Sequence, residues 1–229
     1  MFFSPTYLMY MIPAFILMAI TSWYVKSAYK KWSQVPAQSR LTGTQAAQQL
    51  INAGNLYGVQ VASIAGNLTD NYDPRQKTLF LSQGVANVAS VASVAIAAHE
   101  LGHAMQDAED YFPLRFRAAL VPIVNLGSNL GWILIMIGLF LRFTQLAWLG
   151  ILVFAGGAVF ALATLPVEFN ASARAKHLLV QTGIIQTDEE RRGVNAVLNA
   201  AALTYVAGLV TAILQLLYYV SLVSGGRRR

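Results

Sequence analysis

The sequence predicts a mostly α-helical membrane protein, with four transmembrane helices and a small cytoplasmic α+β cap. Of its 229 residues, 56% are hydrophobic and 11% are charged, which is about half the charged fraction of an average soluble domain. The charges are unevenly spread, because six stretches of 22 or more residues contain no Asp, Glu, Lys or Arg. The sequence has no cysteine, which excludes disulfide scaffolds and thiolate metal sites.

Four of the six uncharged stretches predict membrane spans, since a spanning helix needs about 20 residues with few or no charges. The stretch 41–69 is excluded, because its glutamines, asparagines and glycines are unsuited to lipid. The stretch 78–99 is built from Ala, Ser and Val with polar interruptions, which predicts a helix buried in protein. The predicted spans are residues 5–25, 118–141, 145–167 and 197–223.

The first span is expected to remain as an anchor rather than to be cleaved as a signal peptide. Secretory signals carry positive charge before the apolar run, whereas Lys26, the first basic residue of this chain, follows it. We therefore expect residues 1–229 to form a single membrane-embedded domain. Its cap comes from the loops 26–117 and 168–196.

The two loops contain twelve of the Lys and Arg residues, whereas the other parts of the chain contain four. The positive-inside rule then predicts loops that face the cytoplasm, although the tail Arg227, Arg228 and Arg229 opposes this orientation. Two spans separate the loops, so they lie on one membrane face in either orientation. The expected location is the cell (plasma or inner) membrane, with the lipid bilayer as a partner. Basic residues beside spans explain the net charge of +6, and the absence of a recognisable binding module predicts no nucleic-acid partner.

Two small elements are predicted within the first loop. Residues 42–53 form an amphipathic pattern that predicts a short helix ended by a glycine. Segments 57–64, 67–72 and 77–82 have strand patterns, and the turn signal Asp-Pro-Arg at 73–75 lies between the last two. These segments predict a short antiparallel sheet of about three strands.

The second loop is predicted to begin and end with helices. Pro166 favours a helix restart, because proline disturbs the preceding helix and suits a first turn. A helix over 168–182 follows. Thr187 and Glu190 have the spacing of a capping box, which predicts a helix that continues into the fourth span.

The segment AIAAHELGHAMQ contains the pattern HExxH. His99 and His103 are four residues apart, so on a helix both imidazoles project from one face. Two neutral imidazoles can bind Zn²⁺, and Glu100 is placed to act on a metal-bound water. The chain has three histidines and two of them lie in this motif, which favours a metal site over two unrelated helix histidines.

A catalytic zinc takes three protein ligands and leaves one position for water. The remaining candidates are His177 and the acids of the two loops. Glu168 stands out, because it follows the uncharged third span in LPVEFNASARA. A carboxylate at this place is costly unless it is paired or metal-bound. The alternative is a salt bridge to Arg174 or an interfacial cap.

Three motifs, LTDNYDPRQKTLFLS, HELGHAMQ and LPVEFNASARA, together resemble the YugP-type family of neutral zinc metallopeptidases, which are small multi-pass membrane proteins. The resemblance covers nearly the whole chain. It implies a zincin-like cap of the gluzincin type, one Zn²⁺ per chain, the ligands His99, His103 and Glu168, and Glu100 as general base. The block EFNAS also resembles, more distantly, the ligand block of HtpX-like and CAAX-prenyl proteases, in which an acid stands where this chain has Ser172.

The resulting hypothesis is a zinc-dependent endopeptidase that cleaves protein or peptide substrates, membrane proteins among them, near the cytoplasmic membrane surface. Glu100 would take a proton from the attacking water and pass it to the leaving amine. The sequence offers Arg174, His177 and Tyr72 as oxyanion donors without deciding among them, although Arg174 fits the family block best. An edge strand of the sheet is a candidate for binding extended substrate, and a purely structural hairpin is the equal alternative.

Other functions are weighed against this hypothesis. A transporter would need ionisable residues inside the spans, and spans two to four have none apart from Glu168 at an end. An intramembrane protease of the site-2 type would need an Asp ligand motif in a span, and no span contains Asp. A non-catalytic metal-binding scaffold or adaptor is the main competitor, because the sequence separates it poorly from a peptidase. The oligomeric state is left open.

Overall fold

A computed structural model describes residues 4–225. The arginine tail at 227–229, which bears on the predicted orientation, lies outside the described residues. In chain order the elements are α1 (Pro5–Trp32), α2 (Gly43–Ala53), β1 (Gln60–Ile64), β2 (Asn71–Asp73), β3 (Thr78–Ser82), α3 (Gln83–Ala86), α4 (Val91–Ala108), α5 (Phe112–Phe140), α6 (Thr144–Phe154), α7 (Gly156–Gln181) and α8 (Asp188–Gly225).

Four segments are long and apolar enough to cross a membrane, which confirms the predicted number of spans. They are Pro5–Trp32, Phe112–Phe140, Thr144–Gln181 and Asp188–Gly225. Helix α4 is not among these candidates within the described part of the chain. Most of its side chains are buried inside protein instead, as the Ala- and Ser-rich composition predicts.

The contacts divide the described residues into two compact units. Unit 1 comprises residues 4–22, Arg115–Pro166 and 203–225, and unit 2 comprises Trp23–Leu114 and Val167–Ala202. The residues of unit 2 largely match the predicted cap. The organisation as one domain stays a prediction.

Unit 1 is held together where α5 and α6 approach closely through small residues. A Cβ atom added at Gly131 would lie 2.8 Å from the backbone nitrogen of Phe154, and one added at Gly150 would lie 2.6 Å from that of Ile135. Real Cβ atoms do not approach backbone this closely. The glycines are therefore what allows the two helix backbones to touch, as is common between transmembrane helices.

Unit 2 has its own apolar core, to which α2 and α4 contribute. Helix α2 begins with the capping box of Thr42 and Gln45, in which each side chain accepts the other residue's backbone N–H. It ends at Gly54, which confirms the predicted helix. Leu50 and Ile51 are almost completely buried, and this apolar face packs α2 against the rest of unit 2.

The three strands form a mixed sheet in the order β1-β3-β2, so the prediction of an antiparallel sheet is wrong for one of its two pairs. Strands β2 and β3 pair antiparallel, as the turn between them requires. Strands β1 and β3 pair parallel, because the chain reverses twice between them. The apolar β3, with Leu79 and Leu81 fully buried, takes the central position, and the more exposed β1 and β2 become edges.

Helix α7 differs from the prediction near its middle. Pro166 lies inside a helix that runs without interruption from Gly156 to Gln181, so the predicted restart at residue 168 is wrong. A proline removes one backbone hydrogen bond, and a helix of this length retains the others. The break lies earlier, at Ala155. At the other end Gly183 has a φ of 66°, the left-handed conformation that commonly follows a helix.

Helix α8 begins as predicted. The Glu190 carboxylate accepts the backbone N–H of Thr187 at 3.0 Å, and the Thr187 hydroxyl accepts the N–H of Glu190 at 3.2 Å. The same carboxylate also accepts the backbone N–H of Gln38 at 2.9 Å. The capping box therefore starts the helix and also ties it to the segment after α1.

Candidate metal centre

Helix α4 presents the two histidines of the HExxH pattern on one face. The helix starts where the Ser90 hydroxyl accepts the backbone N–H of Ser93 at 3.1 Å, a typical N-cap. Nine residues later come His99 and then His103, whose ring centroids are 4.9 Å apart. Their side chains are only 12% and 13% exposed, so both imidazoles lie largely shielded from water.

Gly102 brings α7 against this face of α4. A Cβ atom at position 102 would lie 2.5 Å from the carbonyl oxygen of Ala171, so only a glycine permits the observed approach. Because Glu168 and Ser172 lie on the same segment of α7, this contact brings them to the histidines. The space at Gly102 is therefore filled by the backbone of α7.

Three side chains converge at this contact. The Glu168 Oε2 atom lies 3.3 Å from His99 Nε2 and 3.6 Å from His103 Nε2. Among the described residues, these three form the group of His, Asp or Glu whose ligand atoms all lie within 4.8 Å of one another. Tetrahedral zinc with N and O ligands separates its ligand atoms by about 3.4 Å. The donor types and spacings therefore fit a zinc ion with one position left for water.

Each imidazole is also held through its other nitrogen. His99 Nδ1 lies 3.2 Å from the Ser172 hydroxyl, and His103 Nδ1 lies 3.1 Å from the side-chain oxygen of Gln106. Metal-binding histidines are commonly oriented through the second nitrogen in this way. These contacts leave both Nε2 atoms facing Glu168.

Glu100 is buried on α4 beside the cluster, with 9% of its surface exposed. Burial raises the pKa of its carboxyl, and the neighbouring His99 and His103 oppose that rise. The carboxyl thus lies in a largely water-free environment, next to the residues that could hold a metal.

The other predicted site residues lie in different surroundings. The Arg174 guanidinium donates to both carboxylate oxygens of Glu109, at 2.6 and 2.7 Å, so its ion pair is with Glu109. His177 is on the exposed side of α7 and does not belong to the three-residue cluster. The Tyr72 hydroxyl of β2 donates to Asp107 of α4 at 2.8 Å. The pKa of Tyr72 is raised, mainly by burial and then by this hydrogen bond.

Sequence reasoning missed Gln106, Asn170 and Glu109. Gln106 follows His103 by three residues, a spacing that places both on one helix face, and this signal was present in HELGHAMQ. Asn170 and Arg174 have the corresponding spacing of four on α7. Glu109 gave no such signal, because its partner is 65 residues away in the chain.

Comparison with known proteins assigns the chain to a family. The family model described as "putative neutral zinc metallopeptidase" matches residues 7–224, and the chain belongs to this family. It is 42% identical over 203 residues to a Bacillus subtilis (strain 168) protein named "putative membrane protease YugP", with 89% of this chain and 90% of that protein covered. No solved structure gives a significant match. This relationship and the four apolar helices support a membrane location.

Proposed function

We propose that the protein is a zinc-dependent membrane endopeptidase of the gluzincin type, with one zinc ion per chain. The observation that carries this proposal is the convergence of His99, His103 and Glu168, with the carboxyl of Glu100 buried next to them on α4. Two imidazoles and a carboxylate are a ligand set of catalytic zinc sites. Membership of the metallopeptidase family supports the same conclusion.

The chemistry assigned to the chain's own residues is acid–base catalysis. A zinc ion in this site would lower the pKa of its water and polarise the peptide carbonyl. Glu100 accepts the proton of the attacking water and then donates it to the leaving amine. His99 and His103 lie on α4 and Glu168 lies on α7. These three residues keep their positions during the transfer, because the close contact between α4 and α7 holds the two helices together.

The contacts of the three candidate oxyanion donors do not single out one of them. Arg174 donates to Glu109 and to Asn170, which its Nε–H contacts at 2.7 Å, so we assign it a supporting role. His177 is exposed and is not part of the cluster. Tyr72 is on β2, an edge strand that contacts α4, and its one hydroxyl proton is donated to Asp107. Tyr72 would serve as the donor only after release of this hydrogen bond.

The substrate is proposed to be an extended peptide chain near the cytoplasmic membrane surface. An edge strand can bind such a peptide through main-chain hydrogen bonds without demanding a particular sequence, and β2 is the edge strand that contacts α4. The basic residues of the loops support the cytoplasmic side. Because α4 is not among the candidate spans in residues 4–225, a membrane-anchored peptidase is favoured over one of the site-2 type.

The test uses the purified full-length protein in detergent, with zinc content and cleavage of an unfolded or membrane-tethered test protein measured together. We expect about one zinc per chain. Glu100→Gln should lower the cleavage rate by about 10²–10⁴-fold, the usual contribution of a general base, while zinc stays bound. Glu189→Gln, the same substitution at an exposed position of α8, should leave both quantities unchanged.

Two outcomes would contradict the proposal. Activity that survives Glu100→Gln would remove Glu100 from the role of base. A wild-type protein that binds zinc but cleaves no substrate would favour the metal-binding scaffold.

A further inference from the structure

Gln106 is a fully buried polar residue of α4 that the proposed mechanism does not use. Its side chain is 0% exposed, and a buried amide is costly unless its donors and acceptor are satisfied. The amide nitrogen donates to the Val167 carbonyl at 2.8 Å and to the side-chain oxygen of Asn170 at 3.0 Å. Both acceptors are on α7, on either side of Glu168. The amide group therefore ties α4 to the segment that carries the third proposed ligand.

The orientation of this amide determines which ring nitrogen of His103 carries the proton. Because the nitrogen of Gln106 donates to two acceptors on α7, its oxygen must face His103 Nδ1, at 3.1 Å. A carbonyl oxygen accepts only, so Nδ1 carries the proton. The lone pair of His103 is then on Nε2, the atom that faces Glu168. One glutamine thus fixes the tautomer of His103 and also binds α7 on both sides of Glu168.

Asn170 extends the connection to the end of α4. Its side-chain oxygen accepts from Gln106 and also from Arg174 Nε, at 2.7 Å. Arg174 in turn donates to both carboxylate oxygens of Glu109, the C-cap residue directly after α4. Side-chain contacts thus run from α4 to α7 and back to the end of α4. We call this connection the bridge, and its five members are His103, Gln106, Asn170, Arg174 and Glu109.

We propose that Gln106 is a positioning residue, which sets the geometry of His103 and Glu168 for metal binding through its contacts with His103 and Asn170. This inference rests on the metal binding in the proposed function and does not depend on peptidase activity. A positioning role differs from a packing role in what it requires. Packing requires only that α4 and α7 touch, whereas positioning also requires the hydrogen-bond acceptors of the bridge, which are the side-chain oxygens of Gln106 and Asn170.

The test measures zinc affinity of the full-length protein in detergent, after removal of metal, by competition with a chromophoric chelator. Gln106→Leu introduces an apolar side chain of similar size and removes all three hydrogen bonds, so we expect zinc affinity to fall about 10–100-fold. Asn170→Leu should weaken zinc binding in the same direction. Asn170→Asp keeps the acceptor for Gln106 and Arg174 and should bind zinc like the wild type.

Gln45→Leu is the matched control. It removes a hydrogen-bonded glutamine from the capping box of α2, at a place unconnected with the ligands, and should leave zinc affinity unchanged. The unfolding temperature of each metal-free variant is measured in parallel. The visible absorption of bound Co²⁺, which reports ligand geometry, should change in Gln106→Leu and not in Gln45→Leu.

Wild-type zinc affinity in Gln106→Leu would overturn the inference, even if the metal-free protein were less stable, since that pattern describes a packing contact. If Gln106→Leu fails to fold, the two Asn170 variants decide, and equal affinity in both would overturn it. A wild-type protein that binds zinc but cleaves nothing would defeat the peptidase proposal alone. A wild-type protein that binds neither zinc nor cobalt would overturn both.

Discussion

Two helix contacts of the molecule both depend on glycine but differ in the residues around them. One is between α4 and α7 in unit 2, and the other is between α5 and α6 in unit 1. In each pair a glycine allows one helix to approach the backbone of the other, at Gly102 in unit 2 and at Gly131 and Gly150 in unit 1. Beside Gly102 lie two histidines and a glutamate. The α5–α6 contact has apolar neighbours such as Ile135 and Ile151.

The surroundings of the two contacts differ in a way that follows composition. Helix α4 is rich in alanine and is buried in protein on nearly all sides. Helices α5 and α6 expose large apolar side chains, among them Leu126, Phe140 and Leu152, as helices that face lipid do. Small residues therefore give close contact in both units, and the polar groups placed beside the contact decide whether it can form a site.

The largest effect is expected from removing a proposed ligand at the α4–α7 contact. Glu168→Ala should reduce bound zinc from about one per chain to near zero, because two imidazoles alone hold zinc weakly. Metal analysis of the purified variant measures this directly. Full zinc occupancy in Glu168→Ala would mean that the third ligand is another residue.

The two contacts themselves can be compared by the same substitution. Gly102→Val and Gly131→Val should each destabilise the fold by about 1–3 kcal/mol, the usual cost of overpacking. Only Gly102→Val should also weaken zinc binding, since it pushes Ala171 and its neighbour Glu168 away from α4. Thermal unfolding and zinc affinity, measured on both variants, check this. Equal zinc affinity in the two variants would contradict the proposal that only the α4–α7 contact supports the metal site.

The smallest effect concerns the ion pair at the end of α4. Hydrogen bonds from Arg174 lower the pKa of the Glu109 carboxyl, so the stabilisation is complete above the ordinary pKa of glutamate, about 4.3. It is lost as the pH falls through the lowered pKa of the folded state. Glu109 is 55% exposed, so screening limits the effect to about 1 kcal/mol or less.

Unfolding of wild type and Glu109→Gln at several pH values measures this difference. The wild type should be more stable at neutral pH, and the advantage should shrink below pH of about 4. A difference that is constant over this range would show that the pair does not contribute through charge.

Local signals in the sequence predicted several elements correctly. The amphipathic pattern and final glycine of α2, the capping box of α8 and the four apolar segments depend on residues close together in the chain, so their patterns are visible without a fold. The turn before β3 likewise predicted the β2–β3 hairpin. The parallel pairing of β1 with β3 depends on which strand takes the buried centre, and neighbouring residues do not determine that choice.

The sequence by itself determined the chemical types available to the site. HExxH placed His99, Glu100 and His103 on one helix, and an isolated acid after a span singled out Glu168. The tertiary structure alone brought Glu168 to the histidines, through the close approach at Gly102, and placed Gln106 between His103 and the α7 segment that carries Glu168. The physical reason is that helical periodicity fixes neighbours within one helix, whereas contacts across 60 or more residues depend on packing.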